Sequence, residues 1–232
     1  MKAYRTIPIT ECGEPLVPLP ADLFAFTSPA PYAALGAPYG AANPWLLRQG
    51  VVQALTAAQA GLSARRPGCR IKLFDAYRPN SVQHFMVEHE FRQLSGGRAP
   101  ETVPEAERAA LWERVYNFWA MPSTDPATPP PHSTGAALDI TLAEADGQEL
   151  DMGSPIDENS DRSNPDYFAG RDAPVHENRL LLRGVMFGAG FTMHWGEWWH
   201  FSLGDQMWAW LKQQANPGSN AVARYGRADL LS

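Results

Sequence analysis

The stretch HSTGAALDITL, residues 132–142, follows a loop, PSTDPATPPP (122–131), so rich in proline that no regular element runs through it. The segment reads as a strand ending near Leu142, with a histidine at its mouth and Asp139 set between Leu138 and Ile140. That position favours burial, and an isolated buried carboxylate is costly enough to shift its pKa and neutralise. Something positive must therefore face Asp139.

Working outward, RIKLFDAYRP (70–79) alternates as a strand does and stops at Pro79, after which Asn80 or Ser81 is placed to cap a helix running to about Leu94. Asn43 and Pro44 suit the cap and first turn of a helix through PWLLRQGVVQALTAAQAGLSARR (44–66). Thr102 and Glu105 have capping-box spacing ahead of a helix in AERAALWERVYNFWAM (106–121). NRLLLRGVMFGAGF (178–191) is an apolar-striped helix ending near Gly190, FTMHWGEWWHFSL (191–203) an aromatic strand pair or bent strand, and DQMWAWLKQ (205–213) a last short helix. The polar, proline-interrupted residues 151–177 are long for a connection and predict an ordered functional loop. Helices bracketing non-consecutive strands give an α+β class: one domain over 1–232, with a small, mostly antiparallel sheet flanked by helices. Residues 1–43 are expected as an extended N-terminal arm and 214–232 as a frayed tail.

At 232 residues, 44% hydrophobic and 19% charged, the chain is long enough for one sizeable core. The formal charge of -6 comes without a Lys/Arg cluster, which excludes the electrostatic footprint of a nucleic-acid binder or a polybasic membrane anchor and points to a small partner. No apolar run is long enough to cross a bilayer and MKAYRTIPITECGEPL lacks an apolar signal core, so the expectation is a cytoplasmic protein. Cys12 and Cys69 alone exclude a disulfide framework or a zinc ribbon. They read as two ordinary thiols, although the sequence leaves a bridge between them open.

A metal answers the need at Asp139, and His132 supplies a second ligand type suited to zinc, with Gly135 letting the backbone turn between them. Taken alone, this pair is better read as an aspartate facing a lysine or arginine, with a histidine in a loop. The balance changes at GEWWHF (196–201), where Glu197 and His200 sit among Trp195, Trp198 and Trp199. Catalytic zinc keeps three protein ligands and an open position for water, and a nearby carboxylate can take the water's proton. His132, Asp139 and His200 fit as ligands and Glu197 as base. In a straight strand residues 197 and 200 face opposite sides, so the chain must bend or bulge, with Gly196 the place for it. His194 shares the parity of His200 and competes with it, but is read with His84, His89 and His176 as structural or exposed. Arg78, at a strand end, is a permanently charged fork suited to a developing oxyanion.

Together these segments resemble the VanX-type zinc D-Ala-D-Ala dipeptidases of the wider D,D-carboxypeptidase and dipeptidase metallopeptidase family. The resemblance rests on Tyr77-Arg78-Pro79, on His132 with Gly135, Ala137 and Asp139, and on Glu197-Trp198-Trp199-His200. It extends through PYA (31–33), MGSPID (152–157) and the 178–191 helix, covering about residues 30 to 205. It implies one zinc ion per chain on the sheet, held by His132, Asp139 and His200, with Glu197 as general base and acid and Arg78 steadying the tetrahedral intermediate. It implies Asp157 as receptor for the free ammonium of a dipeptide, with Tyr32 lining the same pocket, and hydrolysis of D-alanyl-D-alanine to two D-alanines. The chain departs from the pattern at Pro130, where a serine is expected, and at Thr134, where an arginine is common; both flank the substrate pocket. Two other readings are a D,D- or L,D-carboxypeptidase acting on muropeptides, which Asp157 and the lack of an export signal disfavour, and a non-catalytic metal-stabilised binding module, which has no need of Glu197.

Overall fold

The structure, a computed structural model, describes residues 2–228. Its α+β core is a five-stranded sheet in the order β2 (Ala25–Phe26), β4 (Arg70–Asp75), β5 (Ala137–Ala143), β7 (His200–Ser202), β6 (Thr192–Met193). The β2–β4 pair is parallel and the others antiparallel. Beside this sheet β1 (Leu16–Pro18) pairs antiparallel with β3 (Leu46–Arg48). The helices are α1 (Pro31–Ala34), α2 (Gln49–Arg65), α3 (Asn80–Leu94), α4 (Glu105–Phe118), α5 (Ala173–Gly188) and α6 (Gln206–Ala215).

The central strand, β5, is buried along its whole length, and its alternation sorts two faces. Leu138, Ile140 and Leu142 share one apolar cluster with Leu55 and Leu62 of α2 and Leu182 and Met186 of α5. Burying each such side chain contributes about 1.5–3 kcal/mol. Asp139 and Thr141 take the opposite face. A second cluster joins α3 and α4 through Val82, Met86, Phe91, Leu111 and Val115, and reaches Tyr32 and Trp119.

Several local expectations are corrected. The helix expected from Pro44 begins at Gln49, because residues 46–48 pair with β1; Asn43 Oδ1 accepts from Trp45 N at 2.8 Å, closing a turn instead of capping a helix. Thr102 does not cap α4: its hydroxyl donates to Ala99 O at 2.7 Å within a 3₁₀ turn, Pro100–Thr102, and Pro104 occupies the cap position. The N-terminal arm is woven in, giving β1 and β3 their pairing and adding β2 to the main sheet.

The tail is likewise not frayed over its described part. Ala223 bridges Ile9, Arg224 N donates to Gly204 O at 2.8 Å, and Tyr225, 0% exposed, donates to Glu14 Oε2 at 2.8 Å. The loop from 151 is ordered by Arg179, which donates to the carbonyls of Met152, Asn164 and Arg162 at 2.8 Å each. No helix among the described residues is long and apolar enough to cross a membrane.

Candidate metal centre

Strand register places Asp75 opposite Asp139, and Asp139 opposite His200. Residues directly opposite in antiparallel strands share a face, so the three side chains form one row across the sheet. The row depends on an irregularity in β4. Leu73 pairs with Ile140 on the apolar face, and a register shift between Leu73 and Asp75 brings Asp75, rather than Phe74, opposite Asp139.

His132 joins the row from a 3₁₀ turn, Pro131–Thr134, which ends on Gly135 at φ 68°. A side chain at Gly135 would strain that left-handed backbone and collide with Leu16. This turn carries the chain directly into β5, and the His132 ring lies over it. His132 Nε2 stands 3.3 Å from Asp139 Oδ2 and 3.3 Å from His200 Nδ1, and His200 Nδ1 is 3.0 Å from Asp139 Oδ1. On its other side His132 Nδ1 lies 2.9 Å from Ala76 O and 3.1 Å from Asp75 Oδ2. An imidazole that donates there turns the lone pair of Nε2 toward Asp139 and His200.

This donor set fits a metal ion. Two imidazoles and a carboxylate suit zinc, and tetrahedral bonds of about 2.0–2.1 Å require ligand atoms about 3.3 Å apart, close to the spacing found. The charges agree. Although burial alone would raise Asp139, His132 and His200 hold its carboxyl well below the usual range. Burial and Arg78 would lower His132, yet Asp139 and Asp75 raise it to about 9. A site that draws positive charge this strongly suits a divalent cation.

Glu197 lies in the 194–199 connection between β6 and β7, not in a strand, which removes the parity conflict with His200; Gly196 is part of that turn. Its Oε2 is 3.9 Å from His200 Nδ1, its Oε1 is 3.5 Å from His194 Nδ1, and its side chain is 13% exposed. Burial, then the Asp139 charge, pushes the carboxyl up to about 8, with Lys2 opposing. His194 stays outside the ligand group; it is buried, stacks on Trp195 at 4.1 Å and braces Glu197. His84 is exposed and faces Glu88 at 3.6 Å.

Arg78 is buried, with Nε and Nη2 on Asp75 Oδ2 at 3.0 and 2.8 Å, Nη1 on Gln83 Oε1 at 2.9 Å, and Nη2 reaching Asp139 Oδ2 at 3.4 Å. Its guanidinium also lies over Tyr32, 4.6 Å from the ring centroid. Tyr32 donates to Asp157 Oδ2 at 2.8 Å. Asp157 has φ 67°, a left-handed backbone uncommon outside glycine. Burial, then Asp139, raises its carboxyl to about 7. All seven residues singled out from the sequence thus gather at one place, six of them lining a single cavity and Tyr32 linked to it through Asp157 and Arg78.

Three members escaped sequence reading. Asp75 looked like an ordinary strand residue, although its position three before Arg78 was visible. Lys2 and Tyr4 line the cavity from the far N-terminus and carry no motif. The two thiols do not pair: Cys12 is exposed and Cys69 buried, both free.

Residues 26–217 match the peptidase family described as D-ala-D-ala dipeptidase. A D-alanyl-D-alanine dipeptidase of Synechocystis is 44% identical over 99% of this chain and 98% of its own length. Proteins of the same name from Escherichia coli and Enterococcus faecalis are 32% and 30% identical, over 65% and 66% of this chain and 64% and 71% of theirs.

Proposed function

Because the chain belongs to the D-Ala-D-Ala dipeptidase family of peptidases, we propose that it is a zinc-dependent dipeptidase that hydrolyses D-alanyl-D-alanine to two D-alanines. The observation that carries this reading is the convergence of His132, Asp139 and His200 within 4.8 Å, with Glu197 beside them in the same cavity. One zinc ion per chain held by these ligands would supply Lewis acidity and lower the pKa of water.

The chain's own groups then divide the work. Glu197 takes the proton of the attacking water and delivers it to the leaving amine, a role suited to a carboxyl held near neutrality. Arg78, fixed by Asp75 and Gln83, keeps a permanent charge beside the carbonyl oxygen as it becomes an oxyanion. Asp157, with Tyr32 behind it, receives the free ammonium of the dipeptide, which a blocked peptide lacks and a longer one carries further from the scissile bond. The expected cytoplasmic placement belongs to the same proposal, and two free thiols agree with a reducing compartment. The reading of the chain as one metallopeptidase domain is part of this proposal too.

The test is a dipeptide panel varied in chirality at both positions, assayed with and without chelator. D-alanyl-D-alanine should lead, and chelation should abolish turnover. Glu197→Ala should keep the metal and lose at least about 10²-fold in kcat. Near-normal hydrolysis by that variant overturns the mechanism, and preference for N-acylated D-alanyl-D-alanine replaces the dipeptidase with a carboxypeptidase.

A further inference from the structure

A dipeptide has two charged ends, and Asp157 answers only one. The carboxylate end must enter a cavity lined by Asp139, Asp157 and Glu197, none of which offers it a positive partner. Among the described residues, the lysine and arginine side chains lining this cavity are Arg78 and Lys2. Arg78 is already assigned to the oxyanion, and its three nitrogens donate to Asp75, Gln83, Tyr32 and Asp139.

Lys2 is placed differently. Its Nζ donates to Phe118 O at 3.3 Å, and it forms no ion pair among the described residues. An ammonium has three donors, so capacity remains for an incoming oxygen. Tyr4, Trp119 and Trp199 line the same cavity and carry donors, but these are neutral, so the charged partner open to that oxygen is Lys2. The field of Lys2 acts on Glu197 and His194, while Asp157 sits with Tyr32 and Arg78; Glu197 feels both Lys2 and Asp157. Lys2, Asp157 and the groups proposed to react all line one cavity.

The segment bearing Lys2 is fixed in place. Residues Ala3–Thr6 form a 3₁₀ turn with Tyr4 buried. Arg5 Nη2 donates to Thr128 O at 2.7 Å, and Gln206 Nε2 of α6 donates to Ile7 O at 2.6 Å. A held segment presents the ammonium with less entropy to lose than a free arm would have.

We propose that Lys2 binds the α-carboxylate of the substrate, so that the N-terminal segment completes a site that reads a short peptide from both ends. The assignment rests on the dipeptidase reading and adds a specificity residue to it. Its test is a cycle of two changes: Lys2→Met in the protein, and D-alanyl-D-alaninamide in place of D-alanyl-D-alanine. Wild-type protein should favour the free acid over the amide in kcat/KM by about 10- to 100-fold, the range of a hydrogen bond to a charged group.

Lys2→Met should erase most of that preference, its KM for the acid rising well beyond any change it makes on the amide, and Lys2→Arg should restore most of it. Equal losses on both compounds, or no loss on the acid, overturn the assignment and leave the dipeptidase standing. Wild-type protein that cleaves neither compound overturns the dipeptidase reading, and the assignment falls with it.

Discussion

Of the three arginines buried deep in this protein, two, Arg48 at 0% exposure and Arg78 at 4%, are set apart by their partners. Arg48 donates mainly to backbone: Thr134 O at 2.8 Å, Glu14 O at 2.5 Å and Gly226 O at 3.0 Å, with Glu11 Oε2 at 3.2 Å. It ties together chain segments far apart in sequence and faces no cavity of the metal centre. Arg78 instead binds side chains, two of them carboxylates, on a cavity wall. A buried cation satisfied by carbonyls is a structural clamp, whereas one held by ionised side chains beside open space keeps its field available to a ligand.

The contrast is broken most severely at Arg48. Arg48→Met should cost about 3–5 kcal/mol in denaturant unfolding, because the carbonyls and Glu11 that it joins are left without their donor. The folded fraction should still bind metal; loss of the metal centre at unchanged stability would reverse the roles of the two residues. Arg78→Lys keeps the charge and loses the fork, so kcat should fall about 10²- to 10³-fold with a small change in unfolding midpoint. A kcat within threefold of wild type would make Arg78 a second clamp.

Asp75 sharpens the difference, since it touches both Arg78 and His132. Asp75→Asn should weaken metal affinity about 10- to 100-fold, measured by competition with a chromogenic chelator. The smallest effect concerns Asp157, joined to Arg78 through Tyr32. Burial holds its carboxyl up at about 7, so the anion that receives the ammonium is present above that pH and lost as pH falls through it. KM for the dipeptide should rise on acidification, and Asp157→Asn should give a high, flat KM. The same raised value means that ionising Asp157 lowers stability as pH climbs from the ordinary carboxylate range toward 7; the Asn variant should lack that decline.

Much of the site was legible because its chemistry contradicts its surroundings. Asp139 inside an apolar strand, and His200 and Glu197 among tryptophans, announce themselves by polarity alone. The resemblance supplied the roles proposed for Asp157 and Tyr32, which composition does not reveal. Asp75 stayed hidden because strand parity, counted without the irregularity after Leu73, puts it on the apolar face with Leu73. Helix cores read well from periodicity, as with α3 ending at Leu94 and α5 at Gly188, because their apolar spacing is local. The start of α2 and the course of both chain ends did not. Residues 46–48, Ile9 and Ala223 choose their conformation by pairing with distant segments, which no local pattern encodes.

The bridge from Ile9 to Ala223 and the Tyr225 hydroxyl on Glu14 have a practical meaning for anyone building variants. Residues 221–228 brace the segment that walls the catalytic cavity, so the two chain ends form one mechanical unit with the site. A change within residues 221–228 is therefore felt at the wall of the candidate site, from more than two hundred positions away in the sequence.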